Sequence, residues 1–130
     1  MRRLVSGLAL LLVADTLASA ADPLRMVVAD APYARVWAAA QEALRDYPIE
    51  RLGDGEIVTG WRDRVARVDE AGFRRVAERV TLRVQAFEAR ITRLTVVVDV
   101  RGWRDGDSVP IDNGGPAAHE VLERVRAALR

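Results

Sequence analysis

The chain has 130 residues, 50% of them hydrophobic and 30% charged, with a formal net charge of +1 and no cysteine. That length makes one domain. The missing cysteines exclude the disulfide staples common in small exported proteins, so apolar burial must hold the fold. All 20 basic side chains are arginine, scattered along the chain as codon bias in a GC-rich genome would leave them.

Met1, Arg2 and Arg3 give a basic start, Leu4 to Ala14 an apolar run, and Ala18-Ser19-Ala20 a small-x-small site. This is the three-part layout of a secretory signal peptide. Asp15 ends the run well short of the roughly 20 apolar residues that a membrane span needs, and no cysteine follows to carry a lipid. The expectation is a cleaved segment, 1–20, and a single mature domain, 21–130, in the periplasm of a Gram-negative bacterium. Cleavage removes Arg2, Arg3 and Asp15 and leaves the mature side chains balanced in charge. A balanced chain has no general pull toward nucleic acid or anionic lipid.

Residues 21–29 read as a short extended lead-in. Asp30 is suited to cap a helix and Pro32 to its first turn. Tyr33, Val36, Trp37, Ala40, Leu44 and Tyr47 then recur at helical spacing, and Pro48 ends the helix near Asp46. Gly53-Asp54-Gly55 is a turn, and Glu56 to Trp61 a strand rich in β-branched and aromatic residues. The glycines of GDGEIVTGW also raise the question of a phosphate loop. Gly55 and Gly60 have the GxxxxG spacing, but Trp61 and Arg62 stand where Lys and Ser/Thr are required. The stretch also runs from helix to strand, the reverse of a phosphate loop. GxGxxG fails at Val58, so a turn entering a strand is the better reading. Residues 62–77, with Val65, Val68, Phe73 and Val76, fit no single period.

Residues 78–87 and 91–101 alternate. Val80, Leu82, Val84 and Ala86, then Leu94, Val96, Val98 and Val100, mark one dry face. Arg79, Thr81, Arg83 and Gln85, then Arg93, Thr95, Asp99 and Arg101, mark a wet one. Keeping the dry faces together requires paired residue numbers with an even sum. A three-residue loop, Glu88-Ala89-Arg90, with Phe87 opposite Ile91, sets Val84 against Leu94, Leu82 against Val96 and Val80 against Val98. Arg79 then falls opposite Asp99, a favourable cross-strand pair. Residues 102–116 read as a loop. Pro116 opens a second helix, capped near Asn113 or Gly114, with Ala118, Val121, Leu122, Val125 and Leu129 on its apolar face. The sum is a two-layer α+β domain: an antiparallel sheet of three or more strands with both helices on its dry face.

The chemistry-bearing residues are sparse. His119 is the only histidine, and its neighbour Glu120 diverges from it by about 100° on a helix. Zinc lacks partners here. Asp105, Asp107, Asp112 and Asn113 do not have the spacing of an EF-hand loop. Ser108, the only serine after residue 20, belongs to no triad order. No cofactor, metal or catalytic site is expected. Trp37 reads as core, and Trp61 as core because it shares parity with Ile57 and Thr59. Trp103 breaks the parity of its strand unless Gly102 forms a bulge. It is therefore the tryptophan expected to reach a partner, together with the outward arginines Arg79, Arg83 and Arg101.

Val36-Trp37-Ala38-Ala39, the G-x-I-x-T-x-W of Gly55, Ile57, Thr59 and Trp61, two Val/Leu-rich strands and a closing helix form one pattern. It resembles the small bacterial envelope domains that include those of the outer-membrane assembly lipoprotein BamC. The resemblance covers most of residues 30–130. It implies a helix-grip module that is non-catalytic and binds other envelope proteins. This chain departs from it in lacking the lipid-bearing cysteine and in carrying a single module. The expected function is an exported binding or adaptor module acting through the exposed sheet face or the Gly102–Pro116 loop. The alternative is a carrier or sensor of a small apolar ligand, held in a cavity between sheet and helix.

Overall fold

A computed structural model describes residues 24–112 and 114–130. The expected signal segment and the capping role considered for Asn113 lie outside the described residues. In chain order the described residues form β1 (Leu24–Ala29), α1 (Tyr33–Ala43), β2 (Ile49–Gly53), β3 (Glu56–Thr59) and β4 (Arg62–Arg64). A 3-10 turn (Val68–Glu70), β5 (Arg75–Glu88), β6 (Ile91–Arg104), β7 (Asp107–Ile111) and α2 (Gly114–Leu129) follow.

The β5–β6 hairpin is the spine. Val84 faces Leu94, Leu82 faces Val96, Val80 faces Val98 and Arg79 faces Asp99, as the alternation requires. Only the tip differs from expectation. Glu88, not Phe87, pairs with Ile91, and the register shifts between Ala86 and Glu88. With no glycine or asparagine for a left-handed turn, a bulge at Phe87 closes the hairpin and restores the even sum.

Around this spine all strands are antiparallel, in the order β1-β6-β5-β3-β2, with β4 also on β5 and β7 also on β6. β7 corrects the reading of 102–116 as a loop. Asp105 and Gly106 adopt φ of 55° and 82°, the left-handed pair that a two-residue hairpin turn needs. That turn folds Asp107–Ile111 back along β6. Gly102 stays in register opposite Val76 and Val109, so there is no bulge there. A Cβ at this glycine would lie 2.4 Å from the Phe73 ring, and the missing side chain is what lets Phe73 seat on the strand.

Two starts and stops also differ. α1 begins at Tyr33 with Pro32, not Asp30, at its N-cap position and no side-chain cap. The Pro32 carbonyl accepts from Arg35 and Val36 N–H at 3.1 and 3.2 Å. One residue earlier, the Ala31 carbonyl accepts the Thr92 hydroxyl at 2.8 Å, which ties the lead-in to β6 before the helix starts. β3 ends at Thr59, whose hydroxyl accepts the Val80 N–H at 2.9 Å. Gly60 N–H turns away to donate to the Pro48 carbonyl at 2.7 Å, and the chain kinks.

The dry face of the sheet (Ile57, Val80, Leu82, Leu94, Val96, Val98) is buried against both helices. α1 contributes Val36, Ala39, Ala40 and Ala43, and α2 contributes Ala118, Val121, Leu122 and Val125. Each such valine or leucine stabilises the fold by about 1.5–3 kcal/mol. The result is a two-layer α+β domain of helix-grip type, with two helices on one face of an antiparallel sheet.

Candidate functional site: an arginine and tryptophan face

Among the described residues the helices leave the other face of the sheet uncovered, and its odd-numbered β5 and β6 side chains project there. Arg75, Arg79 and Arg83 recur every fourth residue along β5. Each is paired to a carboxylate of a neighbouring strand: Arg75 to Asp63 at 2.8 Å, Arg79 to Asp99 at 3.7 Å, Arg83 to Glu56 at 3.1 Å. Glu56 also takes Arg51 at 2.9 Å. The hydrogen bonds from Arg51 and Arg83 hold the Glu56 carboxyl below its ordinary value. Arg101 donates to the Ser108 hydroxyl at 3.1 Å.

Two tryptophans complete this face. Arg75 lies over the Trp103 ring at 4.2 Å, and Arg79 over the Trp61 ring at 4.9 Å. Trp103 reaches this side by plain parity, opposite Arg75 and Ser108. Trp61 does not join the core. The kink at Gly60 breaks the parity with Ile57 and Thr59 and turns the indole outward, half-buried. Between Trp61, Arg79, Asp99, Arg101, Pro110 and Ile111 lies an open cleft of about 230 Å³. The face thus gathers the expected Arg79, Arg101 and Trp103 and adds Trp61. Arg83 sits farther along β5, in the Glu56 cluster beside the β2–β3 turn.

Sequence reasoning missed a second constellation, on the covered side. Glu78 and Glu70 are buried beneath the helices, with Arg64 between them. Arg64 Nη1 donates to Glu70 at 2.7 Å and its Nε to Glu78 at 2.8 Å. The Tyr47 hydroxyl donates to the other Glu78 oxygen. Glu70 also accepts the Arg67 N–H at 2.9 Å, and the Arg67 guanidinium makes two 3.0 Å bonds to Glu120 on α2.

Burial alone would lower the Arg64 pKa, but the two carboxylates outweigh it and hold it above the ordinary guanidinium value. Burial first, then the Glu78 contact, pushes the Tyr47 phenol up. The Arg67 hydrogen bonds keep the Glu120 carboxyl below its ordinary value. A signal existed: Glu78 holds an even position on a strand whose neighbouring even residues are Val76, Val80, Leu82 and Val84. A carboxylate on a dry face demands a buried partner.

His119 is exposed and 4.0 Å from Glu123. Among the described residues, no three His, Cys, Asp or Glu side chains group as a metal site would require, and no helix is long and apolar enough to cross a membrane.

Neither a family model nor a curated protein matches the chain. Among solved structures, it is similar to a conserved protein from Geobacillus kaustophilus at 8% identity and a TM-score of 0.42, covering 82% of this chain and 90% of that one. It is also similar to the Zhui aromatase/cyclase from Streptomyces sp. R1128, at 21% identity and a TM-score of 0.36, covering 81% and 86%. A third is an uncharacterized protein from Bacillus thuringiensis, at 12% identity and a TM-score of 0.35, covering 82% and 93%.

Proposed function

We propose that the chain is an exported, non-catalytic binding module of the bacterial cell envelope, of the kind its motifs resemble, and that it holds another envelope protein on the uncovered face of its sheet. The observation that carries this is the pairing of Trp61 with Arg79 and of Trp103 with Arg75 on that face. Tryptophan and arginine are the side chains that most often anchor protein interfaces. Each arginine here is already held by its ring and a carboxylate, so little side-chain freedom remains to be lost on docking.

The carrier reading has less support. The space between sheet and helices is occupied by Leu82, Leu94, Val96, Val121 and Val125. The apolar cleft at its rim, between β1 and α2, measures about 230 Å³, below the roughly 300 Å³ at which small-ligand pockets begin.

Photo-crosslinking in intact cells tests the proposal. A photoreactive residue at Arg101 should give a discrete adduct, and one at Arg124 on α2 should not. Replacing Trp61 and Trp103 with alanine should abolish the Arg101 adduct while the circular dichroism spectrum is kept. Equal labelling from both positions, or none from Arg101, would sink the reading. Export is read separately, since the mature protein should begin at Ala21 by mass and fractionate with the periplasm.

A further inference from the structure

We infer, on the strength of the binding role proposed above, that the partner presents an acidic peptide segment whose carboxylates seat at the Trp103 end of the uncovered face. Here β5 starts and β6 ends, and a cleft of about 310 Å³ opens between Arg74, Arg75, Trp103, Arg104 and Gly106. The cleft beside Trp61 is its counterpart in form but not in charge. There Arg79 and Arg101 share the walls with Asp99 and Asp112, so the signs balance. Around Trp103 three arginines line the cleft and, among the described residues, no carboxylate does.

These arginines are held in place with donors to spare. Arg75 lies over the Trp103 ring at 4.2 Å and Arg104 over the Phe73 ring at 5.0 Å. Arg74 is fixed beside them by its backbone N–H, which donates to the Trp103 carbonyl at 2.8 Å. Among the described residues, the one carboxylate paired with any of the three is Asp63, which takes Arg75 Nε at 2.8 Å. An aromatic ring orients a guanidinium without using its N–H groups. The planar fork that remains matches a carboxylate through two parallel hydrogen bonds.

Phosphate groups would satisfy the same donors, so the rest of the face decides between them. Its arginines alternate with Glu56, Asp63 and Asp99. A bilayer or a nucleic acid is negative throughout and would press phosphates against these carboxylates. A peptide can set a carboxylate in the cleft, an apolar side chain on the indole and a neutral or basic residue against Asp63 and Asp99. Free phosphate has no group to offer the indole.

NMR titration of the purified chain tests the seat directly. A short peptide alternating glutamate and leucine should move the Nε–H signals of Arg74, Arg75 and Arg104 and the indole N–H signal of Trp103, and leave that of Trp61 in place. The same peptide with glutamine for glutamate should move none of them. Inorganic phosphate and phosphatidylglycerol vesicles, offered separately, should each bind more weakly than the glutamate peptide. Arg74→Glu with Arg104→Glu should weaken that peptide at least about tenfold. Arg90→Glu with Arg130→Glu, the same change of charge elsewhere, should not. Equal shifts from the glutamine peptide, tighter binding of phosphate or vesicles, or equal losses in the two double variants would each overturn the proposal. If R74E with R104E does not fold, the glutamate and glutamine titrations of the wild type decide. In intact cells R74E with R104E should also remove the photo-adduct at Arg101. An adduct that survives would overturn the acidic seat and leave the binding face standing, whereas no adduct in the wild type would overturn both.

Discussion

The space between sheet and helices has two ends of opposite character. At one end Leu82, Leu94, Val96, Val36 and Val121 belong to a buried apolar cluster. At the other end, two inward positions along β5 from Leu82, Glu78 enters the same layer and takes hydrogen bonds from Tyr47 and Arg64, and Arg64 in turn holds Glu70. The first end is held by non-directional burial, where size and shape decide. The second is held by hydrogen bonds to charge, where each member depends on all the others because none can return to water. An apolar end tolerates a compromise, whereas a charged one leaves a stranded ion when any partner is lost.

The largest test of that contrast removes the central cation. Arg64→Ala leaves Glu70 and Glu78 buried and unpaired, and should cost about 3–5 kcal/mol in urea unfolding. Exchanging Arg64, Glu70 and Glu78 together for Met, Leu and Leu should recover most of that loss. If Arg64→Ala costs no more than Arg45→Ala at the surface, the charged end is not interior in any energetic sense. At the apolar end Leu82→Ala should cost about 2–5 kcal/mol, and no second substitution nearby should restore it.

Smaller is Gly102→Ala, at about 1–3 kcal/mol. Its Cβ must displace the Phe73 ring, and an NMR shift of the Phe73 ring protons would report the move.

Solution pH separates the ends without mutation. The folded Glu120 pKa lies below its ordinary value near 4.5. Its contribution is therefore complete above that pH and is lost as pH falls through the lower, folded value. Arg67→Met should flatten that part of the acid arm of a stability-against-pH curve. Tyr47 works in the opposite sense. Its folded pKa lies above the ordinary 10.0, so its contribution is complete below pH 10 and lost as pH climbs through the raised value. Tyr47→Phe should remove that alkaline dependence.

The smallest effect belongs outside. Arg79→Ala gives up a half-exposed ion pair with Asp99 and the contact with Trp61. It should cost about 1 kcal/mol or less by thermal unfolding, with a change in tryptophan emission.

The apolar end was legible because alternation is a local signal. Even numbers on β5 and β6 fixed which side chains meet, and Arg79 opposite Asp99 followed without further input. At the charged end only Glu78, on a dry strand face, left a signal; its partners were not legible, because they come from residues 47, 64, 67, 70 and 120 and share no period. Residues 62–77 resisted assignment for the same reason: β4 and the 3-10 turn are ordered by ion pairs, not by an apolar stripe. Trp61 was misplaced because parity counting assumes an unbroken strand, and Gly60 breaks this one. Residues 102–116 were misread because Asp-Gly marks a hairpin as readily as a loop. Of the candidate site, parity alone places Arg79 and Arg101 on the uncovered face; Trp103 was obscured by the bulge considered at Gly102, which the strand does not form, and Trp61 by the kink at Gly60.

Chain order and spatial order disagree most at β1. Its neighbour in the sheet, Thr92 to Val97 of β6, lies almost a whole domain later in the sequence. During synthesis β1 emerges first and must wait, its sticky backbone unmatched, until the last third of the polypeptide arrives. The β5–β6 hairpin, whose strands are consecutive, can close long before that. Among the described strands β1 therefore waits longest for its neighbour, and a helper that shields nascent segments would find its longest task there.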